Sequence, residues 1–130
     1  MFIDANVFIH AYDSGGRQKA SCLALLERIR RAEIRAQTST LVLNEVLYYF
    51  QEDDDETAIR IFINICRTPH LQVLGVESTC LAHVPELVRQ GLTASDAYHA
   101  AVMKCNGIDT ICSYDKGFDR IPSISRQEPK

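Results

Sequence analysis

The sequence has no long apolar run and no basic-then-apolar leader. None of its hydrophobic stretches approaches the ~20 residues that a membrane-spanning helix needs, and the first apolar stretch starts at Met1 itself. Hydrophobic residues make up 46% of the chain and charged residues 24%, which is ordinary for a globular protein that folds in water. A chain of 130 residues is also long enough to bury one full core. We therefore expect a cytoplasmic protein with no membrane segment.

Cysteine pairs of the Cys-x-x-Cys type are also absent, and the number of cysteines, five, is odd. Cys-x-x-Cys spacing is typical of zinc sites and redox motifs, and an even number would suit a disulfide framework. Because the cysteines stand in apolar surroundings, the sequence predicts buried free thiols at all five positions. These are Cys22, Cys66, Cys80, Cys105 and Cys112.

Three common catalytic motifs are missing as well. The sequence has no glycine-rich loop of the kind that cradles a triphosphate, which excludes the usual nucleotide triphosphatases. It has no His-Glu-x-x-His zinc motif, and no serine, histidine and acid whose placement suggests a nucleophilic triad. If the protein is an enzyme, its acidic residues are therefore the main candidates for the catalytic groups.

The net charge of −3 argues weakly against a protein that coats nucleic acid, but charge is distributed unevenly. Six of the fourteen basic residues lie between Arg17 and Arg35. Several fall at the end of a helix predicted from about Arg17 to Arg31, where basic side chains suit the negative end of the helix dipole. Two interpretations stay open for them, a solvated helix end or contacts to phosphate groups. The arginines concerned are Arg28, Arg30, Arg31 and Arg35.

Five of the seventeen acidic residues form the run Glu52 to Glu56. Such a run resembles a metal cluster, but here it stands just before a helical pattern that includes Ala58 and Ile61. Acidic residues stabilise the N-terminus of a helix because they oppose the positive end of its dipole. We interpret the run as a solvated helix start and not as a metal site.

Short apolar stretches alternate with helical patterns along the whole chain. The stretches predict strands at the very start and at about residues 34–37, 71–76, 108–113 and 121–125. Helices are predicted between them, and the one that spans about 78–90 is kinked at Pro85. This alternation implies right-handed crossovers and a mostly parallel sheet with helices on both faces. We predict one α/β domain over residues 1–126, followed by a polar tail at 127–130.

Carboxylates directly follow two of the predicted strands. Asp4 stands at the end of the first strand, and Asp115 follows the strand at 108–113. Because the strands of a parallel sheet point the same way, both acids must lie at its carboxyl edge, where such sheets place their sites. The alternative is that Asp4 or Asn6 only caps the next helix, a common task for both residue types.

Two further acids belong to predicted helices. Glu45 lies in a mostly apolar helix, and this setting favours a partly buried side chain over the full exposure that is typical of glutamate. Asp96 follows Thr93 at the spacing of a capping box, with Asp in place of Glu. His99 comes one turn later, and a packed or partly exposed histidine is commoner there than a metal ligand.

Carboxylates gathered at one edge of a sheet repel one another unless a counter-ion is present. Oxygen ligands in this number suit Mg²⁺ or Mn²⁺. An ion held in this way accepts phosphate groups, activates water and neutralises charge at phosphorus. The acidic residues therefore favour phosphoryl chemistry.

Four blocks of the sequence resemble the PIN-domain nucleases and, among them, the single-domain VapC-type toxins. The blocks occur in the order expected for the family and span nearly the whole chain. The resemblance implies a three-layer α/β/α fold with a central parallel sheet and a metal-dependent endoribonuclease. The blocks are residues 2–6 (FIDAN), 44–46 (NEV), 92–97 (LTASDA) and 113–119 (SYDKGFD).

The resemblance also implies roles for the matching residues. Three of the acids, Asp4, Asp96 and Asp115, would bind Mg²⁺ or Mn²⁺, while Glu45 completes the acidic pocket and orients the attacking water. The catalytic quartet is then Asp4, Glu45, Asp96 and Asp115, and the supporting residues are Asn6, Ser113 and Asp119. Ala5 stands where many relatives carry a hydroxyl residue, which puts a direct substrate role for that position in doubt.

The function implied in this way is hydrolysis of RNA by the toxin of a toxin–antitoxin pair. Such toxins usually form homodimers and are silenced by a small antitoxin protein. The alternatives are a PIN nuclease that is not a toxin and a catalytically silent, RNA-binding PIN module. A metal-dependent phosphatase is less favoured, because that chemistry commonly needs a second aspartate where this sequence has Asn6.

Overall fold

Five short strands form one parallel sheet in the order β3-β2-β1-β4-β5 in the computed structural model, which describes residues 1–130. The strand at the centre, β1, pairs with β2 on one side and β4 on the other, with Phe2 opposite Gln37 and Ile111. All strand pairs are parallel, which confirms the predicted α/β class. The strands are β1 Phe2–Ile3, β2 Ala36–Ser39, β3 Leu71–Leu74, β4 Thr110–Cys112 and β5 Ser125–Gln127.

Six α-helices connect the strands. They are α1 Ala5–Tyr12, α2 Lys19–Arg30, α3 Thr40–Gln51, α4 Asp55–Cys66, α5 Val84–Arg89 and α6 Ala94–Cys105. A 3₁₀ helix, Ser78–His83, precedes α5, so the kink predicted at Pro85 is a change of helix type at Val84. A second 3₁₀ helix, Lys116–Arg120, follows β4. None of the helices is both long enough and apolar enough to cross a membrane.

The direction of the strand order reverses at β1. The chain moves outward from β1 through β2 to β3, and then returns to place β4 and β5 on the other side of β1. Right-handed crossovers therefore put α1 to α4 on one face of the sheet and α5 and α6 on the other. The carboxyl edge beside β1 and β4, where the strand order reverses, is the usual place for a site in such sheets.

The core is built around the central strand and the helices that cover it. Phe2, Ile3 and Ile111 have no exposed surface, and on α1 the same is true of Val7 and Phe8. Three alanines of α6 are buried in the same core cluster as the central strand. The first turn of α6 carries Asp96.

Local signals in the sequence set the ends of several helices. The side chain of Ser39 accepts a hydrogen bond from the Val42 N–H and begins α3, and Thr93 does the same for α6. Asp54 caps α4, so the acidic run is a helix start, as predicted. Gly91 and Gly107 follow α5 and α6 with φ of 103° and 65°, values that glycine adopts without strain.

The prediction of five buried thiols was wrong for two of them. All five cysteines are free, and Cys22, Cys80 and Cys112 are buried. Cys66 and Cys105 are exposed because each is the last residue of its helix. Their apolar neighbours in the sequence occupy the buried faces of those helices, and the cysteines do not.

Candidate active site

Asp4 is the most buried of the four predicted acids, with 4% of its surface exposed. It follows β1 and caps α1, where Oδ1 accepts a hydrogen bond from the Ala5 N–H at 2.7 Å. Oδ2 accepts one from Asn6 Nδ2 at 2.9 Å and one from Ser113 Oγ at 2.5 Å. The carboxylate of Asp4 therefore caps α1 and also bonds to Asn6 and Ser113, so a helix cap at this position does not exclude a site.

Ser113 joins the ends of β1 and β4. Besides donating to Asp4, its hydroxyl oxygen accepts hydrogen bonds from Asn6 Nδ2 at 3.1 Å and from the Asp115 N–H at 2.9 Å. Asn6 Oδ1 in turn accepts from the Tyr114 N–H at 3.3 Å. This network sets the position of Asp115 relative to Asp4.

Asp96 and Asp115 lie beside each other in the cleft. Burial, followed by the hydrogen bond and charge of Asp115 and the charge of Asp4, raises the pKa of Asp96 to about 7. The Asp115 Oδ1 accepts a hydrogen bond from the Gly117 N–H at 2.8 Å. A Cβ at position 117 would lie 3.0 Å from that oxygen and 3.8 Å from Asp96 Oδ2. Glycine at this position therefore leaves room beside both carboxylates.

Glu45 reaches the cluster from α3 and is held by a histidine. His99 Nε2 lies 2.9 Å from Glu45 Oε2 and 3.9 Å from Asp4 Oδ1, and the imidazole is 1% exposed. Burial raises the pKa of Glu45, but the hydrogen bond and charge of His99 outweigh it and leave that pKa below its usual value. For His99, burial lowers the pKa, because it disfavours the charged imidazolium. The hydrogen bond and charge of Glu45, with the charges of Asp4 and Asp96, outweigh burial, so the pKa of His99 is raised above its usual value. The Nδ1 of His99 has no hydrogen-bond partner.

His99 is the residue that sequence reasoning missed. It is packed, as expected, but it contacts two of the acids, and its ligand atom lies within 4.8 Å of theirs. One signal was available, because His99 and Asp96 stand three residues apart and so share a face of α6. The partner on α3 could not be identified in this way, since Glu45 and His99 are 54 positions apart.

The structure brings the four predicted acids to one cleft of about 340 Å³. Two tyrosines of α3 form its outer wall, and Tyr48 is 68% exposed. Glu52, the first residue of the acidic run, also reaches this cleft. The lining consists of Asp4, Ala5, Asn6, Ile9, Glu45, Tyr48, Tyr49, Glu52, Asp96 and Asp115.

Asp119 is engaged in a different contact. Its carboxylate accepts two hydrogen bonds from Arg126, at 2.8 Å from Nε and 3.2 Å from Nη2. The same guanidinium donates from Nη1 to the Ser113 carbonyl oxygen at 3.0 Å. Asp119 is thus linked to Ser113 through Arg126, and it does not line the cleft that the four acids share.

The four arginines are not brought to the carboxylates. Three of them form ion pairs with acids near the end of α2: Arg28 with Glu33, and Arg30 and Arg31 with Glu27. Arg35 directly precedes β2. The end of α2 and the start of β2 lie at the amino edge of the sheet, opposite the cleft.

Fold and site together define an α/β protein with an acidic cleft where the strand order reverses. The PIN domain family matches residues 1–124, and the chain belongs to that family. It is 30% identical to the VapC ribonuclease Mb1869c of Mycobacterium bovis over 128 residues, which covers 97% of this chain and 98% of that protein.

Two solved structures have the same fold. The structure of VapBC2 from Rickettsia felis, bound to a DNA fragment from its promoter, matches with a TM-score of 0.78 and 18% identity, over 99% of this chain and 98% of that one. VapC20 of Mycobacterium tuberculosis, described as a sarcin-ricin loop cleaving toxin, matches with a TM-score of 0.74 and 17% identity, over 93% and 94% of the two chains. The resemblance to the PIN family and the fold it implied are confirmed.

Proposed function

We propose that this protein is a ribonuclease that uses Mg²⁺ or Mn²⁺ to hydrolyse phosphodiester bonds in RNA. The observation that carries the proposal is the opening of all four predicted acids onto one cleft. Its relative in M. bovis, which matches over nearly the full length of both chains, is named a ribonuclease. A catalytically silent RNA-binding module would have no need to keep four mutually repelling acids together.

The cluster fits a divalent cation. Burial raises the pKa values of Asp4 and Asp96, so their ionised forms need a positive partner. Asp4, Asp96 and Asp115 would hold the ion, and Gly117 leaves space beside two of them. When bound, the ion neutralises charge on the phosphate and lowers the pKa of water.

His99 is assigned to Glu45 and not to the metal. A histidine that binds a metal through one ring nitrogen almost always donates a hydrogen bond from the other. Here Nε2 is engaged by Glu45 and Nδ1 has no acceptor. The imidazole therefore lacks the support that a ligand histidine has, whereas its 2.9 Å contact with Glu45 is made.

The residues of this chain then divide the work of the reaction. Ser113 and Asn6 fix the carboxylate of Asp4. Glu45, held by His99, orients a water molecule whose oxygen attacks phosphorus. The bond from phosphorus to the 3′-oxygen, on the opposite side, breaks as the new bond forms. The attacking water gives up one proton and the 3′-oxygen takes up one, so that it leaves as a hydroxyl, and the phosphate stays on the 5′ end of the other fragment.

The experiment uses labelled single-stranded RNA with purified protein in Mg²⁺, in Mn²⁺ and in chelator. We expect cleavage that requires the metal and is lost in Asp115→Asn. A matched control is Asp109→Asn, because Asp109 is exposed and lies before β4, at the other end of the strand. Equal cleavage with chelator, or hydrolysis of a small phosphate monoester with no cleavage of RNA, contradicts the proposal.

We also propose that the protein is the toxin of a toxin–antitoxin pair, that a small antitoxin protein binds it, and that it forms a homodimer. Apolar side chains on α3 and α4 are exposed, among them Tyr48, Ile59 and Ile63, and they suit contact with a protein partner. Light scattering on the purified chain tests the homodimer, for which we expect a mass of twice 14.6 kDa. Contact of Arg28, Arg30, Arg31 and Arg35 with RNA stays a prediction.

A further inference from the structure

A second cavity lies beside the carboxylate cleft. It has a volume of about 430 Å³ and is open to solvent. We call it the side pocket. Its walls come from the first two turns of α3 and α6 and from the segment that follows β3. No charged residue lines it. The lining residues are Thr40, Leu41, Asn44, Val76, Ala94, Ser95 and Tyr98.

The side pocket and the cleft share two walls. On α3, Asn44 lines the pocket and the next residue, Glu45, lines the cleft. On α6, Ser95 lines the pocket and the next residue, Asp96, lines the cleft. Successive residues of a helix point about 100° apart, so neighbouring residues of each helix face different cavities. An RNA chain with its phosphate at the carboxylates would place a neighbouring nucleotide beside the pocket.

The chemistry of the pocket matches a nucleobase better than a phosphate or a charged side chain. Leu41, Val76 and Ala94 make it apolar, and the ring of Tyr98 offers a flat surface. Asn44 is exposed, and its amide carries both a donor and an acceptor, the groups needed to read the edge of a base. Unstacked bases of single-stranded RNA are commonly held by an aromatic ring together with such polar groups.

We propose that the side pocket receives one base of the RNA, the base next to the bond that is cut, and that it sets the sequence preference of cleavage. This inference rests on the proposed ribonuclease activity. Tyr98 stacks on the base, and Asn44 bonds to its edge. Both are specificity residues, because neither reaches the phosphate that reacts.

The test combines changes in the protein with changes in the RNA. The RNA carries an abasic residue at each position on either side of the cleavage site in turn, and kcat/KM is measured in Mg²⁺. For the wild type, we expect the abasic residue at one position to lower kcat/KM by about tenfold or more, which is the scale of losing one base–aromatic stack. Tyr98→Ala should lower kcat/KM on intact RNA by a similar factor. For this variant, kcat/KM on the abasic RNA should be nearly the same as on intact RNA, because the stack is already lost.

Three variants complete the design. Tyr98→Phe keeps the ring and should behave like the wild type. Asn44→Ala, at an exposed position, should change which base is preferred in an RNA with randomised flanking positions. Val88→Ala removes an exposed apolar side chain on α5, outside both cavities, and should change nothing.

The outcomes separate the two proposals. If the wild type cleaves RNA but every abasic position affects wild type and Tyr98→Ala equally, the pocket proposal is wrong and the ribonuclease proposal stands. If Tyr98→Ala and Asn44→Ala cut with an unchanged profile and lose affinity for a protein partner, the pocket holds a protein side chain. If the wild type cuts no RNA, both proposals fail.

Discussion

At the scale of single residues, the shape of the carboxylate cluster depends on side chains that are not carboxylates. Ser113 connects Asp4, Asn6 and the backbone of Asp115 through one hydroxyl. His99 connects Glu45 to Asp4 through one ring nitrogen. A mutation at either position should therefore change catalysis without removing an acid.

Replacing His99 by leucine should lower kcat by about 10- to 100-fold, the usual effect of losing a residue that orients a group in a metal site. Glu45 would keep its charge but lose the donor that fixes its carboxylate. His99→Gln can still donate from its amide and should recover part of the activity. Single-turnover cleavage measures the loss of kcat, and binding of RNA in chelator should stay unchanged. An equal loss of binding in both variants would mean that His99 only supports the packing of α6.

Gly117→Ala should lower activity by about tenfold while changing the melting temperature little. The new Cβ would lie 3.0 Å from Asp115 Oδ1, so that carboxylate must move by a few tenths of an ångström, and small displacements in an active site are costly. Gly15→Ala is the control, because a Cβ there meets nothing within 4 Å. Unchanged activity in Gly117→Ala would show that Asp115 does not need its present position.

At the scale of elements, the first helix shows where sequence reasoning fails. The start of the chain is predicted to be a short strand that ends at Asp4, with the first helix only from about Arg17, yet a helix, α1, already begins at Ala5. The segment is apolar almost throughout, so it has no clear period, and Val7 and Phe8 favour a strand by propensity. Asp4 does lie at the end of β1, as predicted, because the residue that follows β1 is also the cap of α1.

The acids could be assigned to one edge of the sheet because parallel strands fix direction. That argument covers Asp4 and Asp115, which follow β1 and β4. It does not reach Glu45 or Asp96, which were placed by resemblance to a family, nor the bond from His99 to Glu45. Contacts between helices on opposite faces of a sheet depend on packing angles that no local pattern encodes.

The acidic run before α4 should be dispensable for catalysis. Asp54 accepts hydrogen bonds from the Thr57 N–H and hydroxyl, which explains the run as a helix start. Replacing Asp53, Asp54 and Asp55 by asparagine should keep metal-dependent cleavage near the wild-type rate, and asparagine can still cap the helix. Initial rates of RNA cleavage and a thermal melt measure both effects. A loss as large as that of Asp115→Asn would show that these acids belong to the site.

At the scale of the whole molecule, the metal-free protein should lose stability as the pH rises from about 4 to about 7. The pKa of Asp96 is 3.8 in an unfolded chain and about 7 in the folded one, so the folded state binds more protons in this range. The raised pKa of His99 acts in the same direction but only above about pH 6.5, where the imidazole begins to lose the proton that favours the folded state. Thermal melts in chelator across this range measure the slope, and a flat profile would contradict it.

Asp96→Asn should flatten this profile and melt above the wild type at pH 8 in chelator. The substitution removes one repelling charge and leaves the Thr93 cap intact, since that cap uses the backbone N–H of residue 96. Saturating Mg²⁺ should reverse the order. A ligand at a hundred times its dissociation constant adds about 2.7 kcal/mol, roughly 8 °C for a domain of this size. If both proteins gain equally, Asp96 does not bind the metal.

The pairing of β1 with β4 also has a consequence during synthesis. Ser113 and Asp4 are 109 positions apart, and the chain grows from its N-terminus. When only β1, β2 and β3 have emerged from the ribosome, Asp4 lies at the end of an edge strand. Neither Ser113, which orients it, nor Asp115, which lies beside it, has yet emerged. The cleft forms when β4 inserts next to β1, which is a late and non-local step. While the ribosome is still synthesising the part of the chain before β4, the nascent protein therefore has no cleft.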